Sequence, residues 1–261
     1  MRKHFGGLLC VLFIISVSMI SWKPVNVNTA HITSNTPFTA RELLEKYVST
    51  IYESAHLQES GLAYNVFKKA ETGFINLKIA NKLPQSCSML TVIDYTKSSC
   101  EKRMWIIDVI NKDLVLNTWV AHGRGSGREV ADRFSDRINS FKSSVGFYLT
   151  DVVYYGKHGR SLKLDGMDPG FNSNARAREI VVHAAEYVGE SVIEKQGRTG
   201  CSLGCPAVAP EVADQVIDAL KDKTVIFING NARNYSSRYL DEELAANFIA
   251  SDSNNNVIAS L

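Results

Sequence analysis

Apolar residues recur at helical spacing near the start of the chain and at strand spacing from Met89 onward. In "TARELLEKYVSTIY", Leu43, Leu44, Tyr47, Val48, Ile51 and Tyr52 make one apolar stripe. Thr39 and Glu42 are spaced as a capping box, in which each side chain satisfies a free amide of the first turn. A second helix is predicted from Leu62 to about Thr72, with Val66, Phe67 and Ala70 on its stripe and Gly61 and Gly73 as punctuation. The two helices read as a small N-terminal cap with a packing role. The segments "MLTVIDY", "RMWIIDVI", "LVLNTWVA", "GFYLTDVVYY", "SLKLD", "EIVVHA" and "TVIFIN" are short runs rich in β-branched and aromatic residues, with "NKD" as a hairpin turn. One clear late helix, "PEVADQVIDALKD", carries Pro210 in its first turn. The expected fold is mainly β, a sandwich or barrel over residues 86–235, preceded by a linker and helical cap over 31–85. The tail, 236–261, is too polar and irregular to assign.

The first 30 residues follow a different pattern. Arg2 and Lys3 precede an uncharged apolar run from Phe5 to Trp22, which reads as an export signal or as an uncleaved membrane anchor. Both readings place the remainder outside the cytoplasm, in the periplasm or cell envelope. Membrane contact is expected only through this segment. A formal charge of +2 without a basic run gives no nucleic-acid footprint. Beyond the leader stand Cys87, Cys100, Cys201 and Cys205, an even number in a compartment where disulfides persist.

The stretch "HAAEYVGESVIEKQGRTGCSLGCPAV", from His183 to Val208, concentrates the candidate chemistry. Cys201 and Cys205 are close enough for a strained bridge. A structural zinc site would need a second nearby cysteine pair, which the chain does not offer. The nucleophile reading uses more of the residues: His183 ends a strand as a base, and Cys205 follows Gly204 in a loop whose amides can face an oxyanion. Pro206 removes one amide donor and fixes the exit. On these residues alone, a buried histidine that merely closes a strand is an equal alternative.

"VVHAA" followed by "GRTGCSLGCPAV" resembles the active-site signature of the L,D-transpeptidases, the YkuD-type enzymes of peptidoglycan metabolism. Their murein L,D-transpeptidase branch is also suggested by "LTVIDYTKSS", "VAHGRGSG", "SSVGFYLT" and "GKHGRSLKLDGMDPGFNSNARAR", in order along the chain. The resemblance implies a β-rich catalytic domain with Cys205 as nucleophile, His183 as base, and Ser202 and Gly204 in the Ser-x-Gly-Cys core. It implies acylation of Cys205 by a peptidoglycan tetrapeptide stem and transfer to an amine of a neighbouring stem or a wall-tethered protein. Water as acceptor would make a carboxypeptidase. Retention of the fold without chemistry would leave a wall-binding module. No metal or organic cofactor is implied.

The departures fall at the nucleophile. Leu203 stands where better-known members have histidine, and Cys201 where the branch carries arginine, a task Arg198 could take over. His122 and His158, in glycine-rich turns, either satisfy local backbone or join Arg124, Lys157 and Arg198 on a rim that grips carboxylates. "GRGSG" lacks the Lys-Ser/Thr of a phosphate loop, and Asp165 reads as a turn residue. Cys201 is a candidate redox partner of Cys205, and Cys87 with Cys100 a candidate staple between strands.

Overall fold

The structure is a computed structural model that describes residues 38–254. The segment expected to export or anchor the chain lies outside the described residues. No described helix is long and apolar enough to cross a membrane.

Helix α1 (Ala40–Ser54) opens with the expected capping box, in which the Thr39 hydroxyl accepts from the Glu42 amide at 3.3 Å and Glu42 accepts from the Thr39 amide at 2.7 Å. Helix α2 (Tyr64–Ile79) runs beyond the predicted stop at Thr72. Gly73 is not a terminator. A Cβ there would lie 1.9 Å from the Phe147 ring, so the glycine lets the helix press against the sheet. Nearly every residue from Val66 to Lys78 is buried, which is why no single stripe marks its second half.

Among the described residues nine strands follow: β1 (Met89–Asp94), β2 (Met104–Asp108), β3 (Asp113–Thr118), β4 (Val120–Ala121), β5 (Gly146–Gly156), β6 (Gly159–Gly166), β7 (Val181–Ala184), β8 (Ala207–Val208) and β9 (Val225–Asn229). They make one sheet in the order β3-β2-β1-β9-β5-β6-β7-β8-β4. Its two edge strands are consecutive in the chain and separated only by Trp119, so the sheet curls into a nearly closed barrel. The mainly β fold with N-terminal helices is the one expected. Both faces are covered. Trp105 and Ile107 join the core beneath α1 and α2, whereas Met104 and Ile106 join the opposite core. Helix α4 (Pro210–Leu220) closes that second core with Val216, Ile217 and Leu220.

Two elements carry no clear sequence signal. A short helix α3 (Glu190–Gln196) has no buried residue and ends at Gly197 in the left-handed region. After Ser236, a 3-10 turn (Arg238–Leu240) leads into α5 (Glu242–Asn254). Its buried positions, Ala245, Ala246 and Ile249, are mostly small, so their apolar signal is weak. The buried Asp168 carboxylate fastens this end to the sheet, accepting from Tyr235 at 2.8 Å, Ser237 at 2.6 Å and the Phe147 amide at 2.8 Å.

Candidate active site

Strands β7 and β8 run parallel, with His183 opposite Ala207. Cys205 lies two residues before that partner, just ahead of β8. His183 and Cys205 thereby open onto one cavity of about 680 Å³, also lined by His158, Arg178, Cys201 and Ser202. The thiol donates to the Glu179 carbonyl at 3.6 Å.

His183 is 2% exposed, and its Nδ1 lies 2.7 Å from the Ala184 carbonyl. A carbonyl can only accept, so Nδ1 carries the proton and Nε2 is left as the basic nitrogen. The third partner of the imidazole is thus backbone. Burial lowers the His183 pKa, the Ala184 contact opposes that, and His158 and Lys157 lower it further. Burial raises the Cys205 pKa, with Val181, Arg178 and Lys157 pulling the other way. Both shifts favour the neutral forms, so the resting pair is thiol and imidazole rather than thiolate and imidazolium.

The nucleophile loop is braced from within. The Ser202 hydroxyl donates to the Cys205 carbonyl at 2.6 Å and accepts from the Gly204 amide at 3.0 Å. Ser202 shapes the loop, and the Gly204 amide is committed to it. Gly204 has φ +129°, and a Cβ there would lie 2.9 Å from the Lys142 carbonyl and 3.1 Å from the Arg178 guanidinium.

Arg178 is the site residue that sequence reasoning passed over. It is 3% exposed, donates to the Ser135 carbonyl at 2.8 Å and to the Lys142 carbonyl, and lies 3.8 Å from Asp136. Its signal was the segment "NARAR" immediately before the strand of His183. Arg176 of the same segment is neutralised by Asp151 and Asp165, so Asp165 is not the expected turn residue but lies in β6, paired with Leu149, as an ion-pair partner.

The other candidates separate. His158, at the tip of the β5–β6 hairpin, stacks on His183 with ring centroids 4.3 Å apart and an interplanar angle of 25°. His122 is not on a rim. It is fully buried, with Nδ1 2.8 Å from Arg103 and Nε2 3.3 Å from the Gly127 carbonyl. Burial and Arg103 lower its pKa to about 4, so it is neutral and fixes local structure. Arg124 and Arg198 line a second cavity, which shares Cys201 with the first.

Among the described residues all four cysteines are free thiols. The staple between Cys87 and Cys100 does not form: Cys87 lies in the core beneath the helices, while Cys100 faces the Gly197 carbonyl at 3.0 Å. Cys201 is likewise a thiol, 3.7 Å from the Arg198 guanidinium.

A thiol and an oriented imidazole beside the β7–β8 pair open onto one cavity, and such groups are the ones that thiol-based acyl transfer uses. Residues 58–229 match the model of the L,D-transpeptidase catalytic domain, and the chain belongs to that family. Similar solved structures include an L,D-transpeptidase from Mycobacterium smegmatis, at 12% identity and a TM-score of 0.34, with 55% of this chain and 59% of that one covered. An L,D-transpeptidase solved with imipenem is similar at 12% identity and a TM-score of 0.34, with 54% of this chain and 58% of that one covered. The helical cell shape determining protein Pgp2 from Campylobacter jejuni is similar at 11% identity and a TM-score of 0.37, covering 71% and 67%. The chain thus spans little more than half the length of the first two. No curated protein matches it.

Proposed function

We propose that this chain is an exported cysteine L,D-transpeptidase that acts on peptidoglycan stem peptides in the periplasm or cell envelope. The observation that carries the reading is the cavity shared by Cys205 and His183, with Nδ1 of the imidazole held by the Ala184 carbonyl. Nε2 takes the thiol proton as Sγ attacks the carbonyl of a tetrapeptide stem ahead of its terminal residue. The imidazolium then gives that proton to the leaving amine, so a D-amino acid departs and a thioester remains. An acceptor amine next bonds to the acyl carbon, the C–S bond breaks, and the proton shed by the amine returns through His183 to sulfur. A neighbouring stem as acceptor gives a crosslink, and a protein amine gives a tether. Arg178 supports the step from below, since its buried guanidinium favours negative charge at Cys205.

The test uses the full chain and a carbapenem, whose strained amide would acylate the same sulfur. A covalent mass increase that disappears in Cys205→Ala is the expected result. No increase in the parent chain would overturn the reading and leave a wall-binding scaffold. Muropeptide analysis of cells with and without the protein then separates crosslinking from trimming by water.

A further inference from the structure

The second cavity, of about 440 Å³, is lined by Arg124, Arg128, Arg133 and Arg198, together with Gly200 and Cys201. Three arginines of the stretch 124–133 and Arg198 from the segment before the nucleophile loop line it together, with little to balance them. Arg133 pairs with its neighbour Asp132 at 3.2 Å, and both are largely exposed. The Arg124 guanidinium rests over the Phe141 ring at 4.3 Å, and Arg198 donates to the Thr199 carbonyl at 2.8 Å. Among the described residues, none of Arg124, Arg128 and Arg198 makes an ion pair. Behind this cavity the buried Arg103 adds charge of the same sign. Its donors go to the Lys97 and Val120 carbonyls and to His122 Nδ1, never to a carboxylate, and His122 itself is neutral. A concave site with this excess of planar, fork-shaped cations suits a ligand bearing several carboxylates.

Its position says what such a ligand would be for. Cys201 lines both cavities, so the wall between them is the segment that leads into the nucleophile loop. That segment is pinned to the arginine side by backbone bonds from Ser202 to the His122 carbonyl at 2.9 Å and from Arg124 to the Ser202 carbonyl at 2.8 Å. We propose that the arginine cavity is the docking site of the acceptor, an acidic peptide with a free amine. The arginines hold its carboxylates while the amine reaches past Cys201 to the acyl group on Cys205. The inference rests on the transpeptidase reading and adds Arg128 and Arg133 to the binding surface. The covalent step is unchanged: N–C bond formed, C–S bond broken, proton returned to sulfur.

The test offers the full chain a tetrapeptide stem as donor and one diamino-acid peptide acceptor in two forms, carboxylates free or amidated. Thioester and crosslinked product are followed by mass spectrometry. The parent is expected to favour the free carboxylates by about tenfold, the worth of one charge-assisted contact of roughly 1.4 kcal/mol. Arg128→Ala/Arg133→Ala should form the thioester at the parent rate, lose that preference, and divert the acyl group to water. Titration of Cys205→Ala with the acidic acceptor, with and without the two arginine substitutions, should show the same loss as weaker binding. A double variant that keeps the preference while its thioester forms normally overturns the inference and leaves the transpeptidase reading intact. A parent chain that forms no thioester fails the reading itself, and the inference with it.

Discussion

His158 lies flat against His183, two imidazoles 4.3 Å apart, one exposed at a hairpin tip and the other buried beneath it. The exposed ring holds the buried one from above while Ala184 holds it in plane. The β5–β6 hairpin thus brings a second imidazole to the site. Stacking of this kind is worth about 0.5–1.5 kcal/mol, so His158→Ala should slow acylation of Cys205 by roughly two- to tenfold. His158→Phe keeps the stack and should restore most of the rate. It also removes the His158 influence that lowers the His183 pKa, so the acid limb of the rate profile should move to higher pH. Equal rates for parent and both variants would show that the stack does nothing.

The pH profile follows from the neutral resting pair. His183 must be unprotonated to act, and its folded pKa lies below the ordinary imidazole value of about 6.5. Acylation should therefore hold up below pH 6.5 before it falls. The Cys205 thiol is pushed above the ordinary thiol range, so its alkylation by iodoacetamide at pH 7 should be slower than that of a small free thiol and should accelerate above pH 9. Peptide mapping separates Cys205 from the other three thiols. Fast alkylation at pH 6 would mean that an ion pair exists after all.

Gly204→Ala tests the loop. The residue occupies φ +129°, where a side chain is strained, and its Cβ would press on the Lys142 carbonyl and Arg178. A strained backbone of this sort costs about 1–3 kcal/mol. Carbapenem acylation should drop at least tenfold with only a modest fall in melting temperature, because the strain sits in the loop. Unchanged acylation would show that the loop tolerates a different path. Ser202→Ala removes the braces on the Gly204 amide and the Cys205 carbonyl and should act in the same direction.

Glu71 gives the stability prediction. It is fully buried in α2, and burial pushes its pKa up to about 8, opposed by Lys78 and Tyr47. The unfolded chain ionises near 4.5, so folding favours the protonated form. The sign follows: stability is highest below pH 4.5 as far as this group is concerned, and it is lost as pH rises toward 8. Each pH unit inside that window costs about 1.4 kcal/mol. Glu71→Gln should flatten this part of the urea-denaturation profile and raise the midpoint at pH 7.5. An unaltered slope would place the charge elsewhere.

The sequence was most legible where one face of an element is buried. The capping box of Thr39 and Glu42, the stripe of α1, the Pro210 helix and seven of the strands could be read directly. Legibility failed where burial is all-round or the buried atoms are few. Helix α2 outran its predicted end because Gly73 fits the Phe147 ring, and α5 went unassigned because alanines fill its core face. At the site, local motif brought out Cys205, His183, Ser202 and Gly204, which share one loop and its neighbouring strand. Residues joined only by topology were harder. His158 reaches His183 through a hairpin, and Arg178 joins the thiol's cavity from the turn before β7. His122 carries a glycine-rich context that suggested a surface, yet a buried arginine claims its ring.

The short strands beside the nucleophile loop have a further meaning. Strands β8 and β4 are two residues each, the shortest in the sheet, and the nucleophile loop hangs from the first of them. Two ladder positions cannot hold as firmly as the long β5–β6 hairpin opposite. The proposed nucleophile thus sits beside the most weakly paired strands of the sheet, and amide exchange should be faster across Val120, Ala121, Ala207 and Val208 than anywhere in β1 or β9. An acyl group on the sulfur, wedged against both halves of the joint, would slow that breathing. The enzyme would then be at its most rigid while it waits for the second substrate.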